Sequence, residues 1–296
     1  MREQQSFPAE LTGWVEQHLG PVTTVRDASH DRPSSRVWEL EAGKGGRYYL
    51  KVSPDGESFT RENWAYRSAV PALGHSRAPQ LLDCRAESLA LLLTAVPGTP
   101  VKGLRMSAAE QRTVHWQAGA LTARLHEAGT AGAPVHAVVE AAFHAAANAV
   151  EDHLAQAGAQ MSVAEQSLVR GYAERLRHVG RVPVGLIHGD SRPRNWMWSA
   201  DGRLAIIDFE RARTAPVVQD LVILATSEWA DHPDRMGAFF QGYGRRLTDD
   251  ERVALRCLTA LDAAASIAWG PAHADVFVTA SGRRTLDRLM REDHHP

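Results

Sequence analysis

Leu11, Trp14, Val15, His18 and Leu19 recur at helical spacing ahead of Gly20-Pro21, and predict a short leading helix over residues 7–19. Strand-like runs follow at 37–40 and at 47–52, where Tyr48-Tyr49-Leu50 is rich in strand formers; Gly43, Gly45 and Gly46 between them predict a hairpin. Residues 57–70 contain neither glycine nor proline and predict a helix, with further strands at 80–84 and 89–94. The first third of the chain is therefore expected to be a small sheet carrying one helix.

Pro97-Gly98-Thr99-Pro100 is the strongest punctuation in the chain, and the pattern beyond it turns helical. This predicts two domains, 1–96 and 97–296, with a hinge at about 93–98. Capping-box patterns at Ser107-Ala-Ala-Glu110, Ser162-Val-Ala-Glu165 and Thr248-Asp-Asp-Glu251 start helices reaching about residue 127, about residue 178 and beyond 251. A further helix is expected over 135–153. Short apolar strands are expected at 185–188, 196–198 and 204–208, joined by polar loops.

Composition narrows the function. The 296 residues hold 33 Lys+Arg and 35 Asp+Glu, a net charge of 33 − 35 = −2, which excludes a nucleic-acid binder built on a broad basic surface. With 44% hydrophobic and 23% charged residues the chain is of ordinary globular make-up. Two cysteines, Cys84 and Cys257, provide neither a disulfide framework nor a metal spacing. The first residues mix Arg, Glu and Gln without a secretory core, and the longest apolar run, 89–96, falls short of the roughly 20 residues that span a bilayer. A cytoplasmic protein with no membrane partner is expected.

The chemistry concentrates in Leu186-Ile-His188-Gly189-Asp190-Ser-Arg192-Pro-Arg194-Asn195-Trp and in Leu204-Ala-Ile-Ile-Asp208-Phe209-Glu210. A strand delivers Asp190 into a loop, Asn195 follows five residues on, and a second apolar strand ends at Asp208. Phosphoryl transfer needs such a set: a carboxylate to orient or deprotonate a hydroxyl, and oxygen ligands for Mg²⁺ on nucleotide phosphates. Upstream, Lys51 lies inside an apolar strand, where an unpaired ammonium is costly, so it needs an anionic partner. Glu62 and Glu57 are the candidates.

These motifs resemble the aminoglycoside phosphotransferase and choline kinase family, whose pattern is His-Gly-Asp-x-x-x-x-Asn, then a hydrophobic strand and Asp-[Phe/Trp]-Glu. The resemblance implies an α+β, bilobal protein-kinase-like fold with a small β-rich N-lobe and a larger α-rich C-lobe. It implies Asp190 as catalytic base, Asn195 and Asp208 as Mg²⁺ ligands, and His188 as a brace for the loop. By the same likeness Lys51 contacts the donor phosphates and pairs with Glu62, and Asp220 fixes the catalytic loop. Leu93, Thr94 and Val96 form the nucleotide hinge, Thr94 offering a carbonyl and Val96 an N–H. The phosphate-covering loop lacks glycine, leaving Ser34 and Ser35, with Arg36 nearby, to meet phosphate from ATP or GTP. Glu210 completes the second motif, and Arg192 and Arg194 are placed to approach phosphate or an anionic acceptor.

The implied activity is O-phosphorylation of a small-molecule hydroxyl, most simply that of an antibiotic. Between 101 and 182 there are seven Asp+Glu and eight Lys+Arg, so the acidic excess that would attract a polycationic aminoglycoside is missing, which admits a neutral or nucleoside-type antibiotic. A metabolic kinase for an amino alcohol or sugar shares every motif. A non-catalytic pseudokinase would have lost Lys51, Asp190, Asn195 or Asp208, and all four are present. His136, Glu140 and His144 share one helical face but lack a fourth ligand, so a solvent or cleft-lining face is expected there rather than a metal site. Trp196 and Trp198 alternate on a strand and are expected in the core. The oligomeric state is not legible.

Overall fold

The computed structural model describes residues 6–29, 36–43, 45–128 and 135–294. Two compact units emerge: Met1–Leu104 with Pro193–Arg213, and Arg105–Arg192 with Thr214–Pro296. The division is thus not one cut near Pro97. The stretch after the His-Gly-Asp loop returns to the first unit because its strands pair with residues 99–100.

In the first unit, helix α1 (Thr12–Leu19) precedes strands β1 (Val22–Asp27), β2 (Arg36–Ala42) and β3 (Arg47–Val52), helix α2 (Gly56–Ser68), and strands β4 (Leu81–Arg85) and β5 (Ala90–Thr94). They form an antiparallel sheet in the order β1-β2-β3-β5-β4. Alternation sends Trp38 and Leu40 of β2 and Leu50 and Val52 of β3 into one core with Leu11 and Val15. Strand parity then turns Lys51 to the opposite face, and α2 supplies its partner there. Asp55 caps α2, its carboxylate accepting from the Ser58 N–H. A second sheet joins β6 (Thr99–Pro100), β8 (Trp196–Trp198) and β9 (Leu204–Ile206). Gly98, at φ +107°, lies against the Trp198 backbone, where any Cβ would collide.

The second unit holds α3 (Ala108–Ala128), α4 (Val135–Asn148), α5 (Val150–Ala157), α6 (Val163–Arg177), strand β7 (Val184–Ile187), α7 (Pro233–Tyr243), α8 (Asp249–Ala272) and α9 (Val276–His294). The capping boxes expected at Ser162 and Thr248 are formed. The single helix expected over 135–153 is instead α4 followed by α5, with Val150 and Leu154 turned into the main core. Among the described residues, α8 alone is long and apolar enough to cross a membrane, although no such run was legible as an unbroken apolar stretch. It is the unit's central core helix, with 61% of its most apolar window buried.

Candidate active site

Lys51 lies at the centre of an acidic cluster. Its Nζ donates to Glu62 Oε1 at 3.0 Å and to Asp208 Oδ1 at 2.6 Å, and lies 3.3 Å from Glu210 Oε2. Glu57, the competing candidate, is exposed and pairs with Arg61 one turn along α2. Glu62 is selected because it shares the inward face of α2 with Phe59 and Tyr66. Burial works against the Lys51 ammonium, but Glu62, Asp208 and Glu210 outweigh it and hold its proton well above the usual lysine range. Burial likewise pushes the Glu62 carboxyl up to about 7; Lys51 opposes this, and the charges on Asp208 and Glu210 add to it. One ammonium shared among three carboxylates favours a proton on the most buried one.

The path of the chain explains how Asp208 reaches Lys51. Trp196 pairs with Ile206 across β8 and β9, and the Ile207 N–H donates to the Asn195 carbonyl at 3.0 Å, so Asn195 and Asp208 leave the sheet side by side. Asp208 then takes a left-handed φ of +71°, which a short polar side chain tolerates better than a branched one. Phe209 is buried edge-on to Tyr66, with ring centroids 5.5 Å apart, and the Arg61 Nε–H donates to the Glu210 carbonyl at 2.7 Å. The segment 208–210 is thereby fastened to α2.

Asn195 and Asp208 present an amide and a carboxylate, a hard oxygen set. No group of three or more His, Cys, Asp or Glu that could hold a metal occurs among the described residues, and His136, Glu140 and His144 are exposed. Two protein oxygens suit Mg²⁺, which keeps waters and takes phosphate oxygens in preference to an all-protein cage.

At the expected hinge, Leu93 and Val96 are buried and Thr94 half-buried. The Thr94 N–H donates to the Gln80 carbonyl, and its Oγ1 accepts from the Gln80 N–H, each at 2.9 Å, fixing the end of β5. Ser34 and Ser35 lie outside the described residues. Arg36 opens β2 and lies over the Trp38 ring.

Asp190 belongs to the second unit, at the end of β7, where a chain of side chains holds its loop. Asp220 Oδ2 and Oδ1 accept from the His188 and Gly189 N–H groups, each at 2.7 Å, and Gly189 takes φ +77°. The Asp190 N–H donates to His188 Nδ1 at 3.2 Å, so His188 acts within the loop as a brace. Behind Asp220, His126 Nε2 lies 3.1 Å from Oδ2, and the Tyr243 hydroxyl lies 2.8 Å from His126 Nδ1. An ionised Asp220 only accepts, so Nε2 carries the proton and the Tyr243 O–H donates to Nδ1. Burial would push the Asp220 carboxyl up, but the bond from His126 and the donors of His188 hold it below the usual carboxylate range. Burial also pushes the Tyr243 hydroxyl up to about 12, keeping it a donor.

Arg192 Nε lies 2.7 Å from Asp190 Oδ1 in an ion pair, and Arg194 is half-buried in the turn Pro193–Asn195 of the first unit. Trp196 is fully buried and Trp198 half-buried. Sequence reasoning missed His126 and Tyr243. Each lies far along the chain from Asp220, and the only local signal was a histidine on the buried face of α3.

A strand lysine clamped to a helix glutamate, and a His-Gly-Asp loop pinned from behind by a buried aspartate, define a kinase-type phosphotransferase. The sequence agrees throughout this region. Residues 28–256 match the family model of the phosphotransferase enzyme family, APH, so the chain belongs to that family. No curated protein sequence matches it. Solved structures share the fold at low identity. A thermostable mutant of aminoglycoside phosphotransferase APH(4)-Ia, in ternary complex with ADP and hygromycin B, superposes with TM-score 0.70 at 16% identity, covering 96% of this chain and 98% of that one. The gentamicin complex of APH(2")-IIa gives 0.64 at 16%, covering 95% and 96%. Macrolide 2'-phosphotransferase MphH from Brachybacterium faecium gives 0.59 at 16%, covering 94% and 96%.

Proposed function

We propose that this phosphotransferase moves the γ-phosphoryl group of a Mg-bound nucleoside triphosphate to a hydroxyl of a small-molecule antibiotic. The observation that carries the reading is the Lys51–Glu62–Asp208 cluster, which sets an ammonium able to meet a phosphate beside a carboxylate able to take the divalent cation that comes with it. Mg²⁺ would be held by Asn195 and Asp208, and when bound it neutralises developing phosphate charge. Lys51 aligns the α- and β-phosphates. The backbone of Thr94 and Val96 grips the base, with Leu93 behind it, and Ser34 and Ser35 are assigned to the phosphate-covering loop. Asp190 orients the acceptor hydroxyl and takes its proton as the acceptor oxygen bonds to Pγ and the bridge to the leaving diphosphate breaks. The proton returns from Asp190 to solvent. Alignment and charge neutralisation supply most of the acceleration, as a loose transition state allows.

The balance of acids and bases over 101–182 favours a neutral or weakly charged acceptor over a polycation. The neighbours in complex with hygromycin B and gentamicin, together with the macrolide 2'-phosphotransferase, support the antibiotic class. The test is diphosphate release from Mg-ATP and Mg-GTP, with mass detection of phosphorylated product, across aminoglycosides, macrolides, nucleoside antibiotics, amino alcohols and sugars. A product from an antibiotic, absent with Asp190→Asn, is the expected result. A product from an amino alcohol or sugar alone makes the enzyme a metabolic kinase, and no acceptor-dependent turnover sinks the reading.

A further inference from the structure

The side chains behind the His-Gly-Asp loop continue past Tyr243 to the rim of the second unit. Gly244, left-handed at φ +82°, ends α7 and lets Arg245 fold back over the Tyr243 ring, its guanidinium 5.1 Å from the ring centre. Arg245 is half-buried and forks onto the fully buried Glu251: Nη1 donates to Oε2 and Nη2 to Oε1, each at 2.7 Å. Glu251 also closes the capping box of α8, accepting from the Thr248 N–H at 2.9 Å, so the fork is anchored to a helix end. Burial would push the Glu251 carboxyl up, but Arg245 and Thr248 hold it below the usual carboxylate range. Nη2 of the same guanidinium lies 3.5 Å from the Tyr243 hydroxyl oxygen. From that oxygen the contacts run 2.8 Å to His126 Nδ1, then 3.1 Å from His126 Nε2 to Asp220, all within one unit.

A hydroxyl and an imidazole in series can direct their protons either of two ways. Toward Asp220, the Tyr243 hydroxyl donates to Nδ1 and the Nε2–H donates to a carboxylate. Away from it, Nδ1–H donates to the Tyr243 oxygen and the hydroxyl donates outward. The Nε2 lone pair then faces Asp220, which must take up a proton from solvent to donate to it. An uncharged Asp220 would grip the His188 and Gly189 N–H groups less firmly than the carboxylate does. The outward direction needs an acceptor beside Tyr243, and the group there is a guanidinium, which only donates. We propose that Arg245 is a positioning residue for phosphoryl transfer, fixing the direction of this chain so that Asp220 keeps its charge on the His-Gly-Asp loop. Arg245 acts only through Tyr243 and His126, and the inference rests on Asp190 taking the acceptor proton at the end of that loop.

The test uses the full chain. Removing Arg245 alone would strand Glu251, so the two are exchanged together, Arg245→Gln with Glu251→Gln. In the wild type, ¹⁵N spectra of His126 should show the proton on Nε2 and none on Nδ1. The paired variant should show a fraction with the proton on Nδ1, and its His188 and Gly189 amides should exchange about tenfold faster. With Mg-ATP and water as acceptor, kcat should fall about tenfold while KM for ATP holds within about twofold. Arg245→Lys, which keeps a cation that only donates, should retain the wild-type spectrum and most of the rate. Tyr243→Phe keeps the ring stacked on Phe239 and deletes the hydroxyl; in that background the paired substitution should change neither exchange nor kcat. A paired variant with the wild-type His126 spectrum and loop exchange, or one that quickens exchange equally in the Tyr243→Phe background, overturns the proposal. Full turnover by Asp190→Asn, or none by the wild type with water or any acceptor, refutes instead the reading on which it rests; the His126 spectrum and the loop exchange decide the chain whatever the turnover.

Discussion

Replacing Lys51 by methionine removes the ammonium that touches Glu62, Asp208 and Glu210 together, while leaving a side chain of similar length. Glu210, more than a third exposed, and Asp208, about a fifth exposed, turn to water and contribute little. Glu62, 1% exposed, cannot. At pH 6 the Glu62 carboxyl already carries its proton, so Lys51→Met is expected to lose the ammonium's charge-assisted bonds, roughly 2 kcal/mol of folding stability. The cost of stranding a buried carboxylate, roughly 3–5 kcal/mol when complete, enters only above pH 7.

The pH dependence of that loss is the sharper test. A glutamate whose folded value is raised contributes most below its unfolded value, and stability falls as pH rises toward the folded value. In the wild type this decline, from 4.5 upward, levels off near 7. The raised lysine adds no slope until pH passes its ordinary 10.5. Tyr66, also pushed well above 10.0, is silent below that point. Without Lys51 the Glu62 carboxyl stays protonated past pH 7, and the decline continues at about 1.4 kcal/mol per pH unit. Urea unfolding at pH 6, 7, 8 and 9 should therefore show a wild-type minus variant gap that is flat up to pH 7 and widens above it. Adding Glu62→Gln should remove the widening and recover most of the stability. A gap that stays constant from pH 7 to 9, or a Lys51→Met protein as stable as the wild type, refutes the account of the cluster.

Asp190→Asn should cut turnover by about 10³ while nucleotide affinity, read by calorimetry with Mg-AMP-PNP, changes less than about twofold. His126→Ala removes the donor to Asp220 and should cost about 2 kcal/mol of stability, with kcat falling more than the nucleotide KM. The lowered carboxyl of Asp220 stabilises the fold above its ordinary 3.8 and loses that contribution as pH falls through the folded value; Asp220→Asn should flatten acid unfolding below pH 4. At the crossing of α3 and α7, a Cβ on Gly242 would strike the Trp116 carbonyl and one on Gly119 the Phe239 carbonyl. Gly242→Ala should lower stability by roughly 3 kcal/mol, measured by thermal melting, because two helix backbones must part.

Much of the first unit was legible because its elements announce themselves locally. β3 and β8 begin and end where the pattern predicts, at 47–52 and 196–198. β1 was missed: its positions are half-buried or exposed, as befits an edge strand, and no apolar alternation marks it. The break between α4 and α5 falls at Ala149, in a stretch without proline or glycine, so nothing in composition betrays it. Neither α7 nor α9 was read, although Pro233 at the first turn and Gly244 at the end of α7 carry the usual signals. In the site, the need of Lys51 for a counter-ion was legible because it lies in an apolar strand, but that need left Glu57 and Glu62 both open, and the family resemblance singled out Glu62. His126 and Tyr243 carry no such demand. Their partners lie 94 and 117 residues away, and only the packing of α3 and α7 brings them within reach.

That asymmetry has a physical basis in how each unit holds its charged groups. In the first unit the groups assigned to nucleotide oppose one another directly, with Lys51 against Glu62, Asp208 and Glu210; a bound triphosphate and cation would exchange partners with them one for one. In the second unit Asp190 is placed indirectly. The Asp220 carboxylate grips two backbone N–H groups of its loop and is itself gripped by His126, whose other nitrogen Tyr243 satisfies. A carboxylate held by its backbone keeps its position when it changes charge, as the proposed role of Asp190 requires. Truncating His126 should then slow the chemical step without altering which nucleotide binds, whereas truncating Lys51 should abolish nucleotide binding while leaving the Asp190 loop intact. The amide exchange of His188 and Gly189 measures that loop directly: exchange accelerated in His126→Ala but not in Lys51→Met is the expected pattern, and equal acceleration in both would mean that the two sets of groups are not held independently.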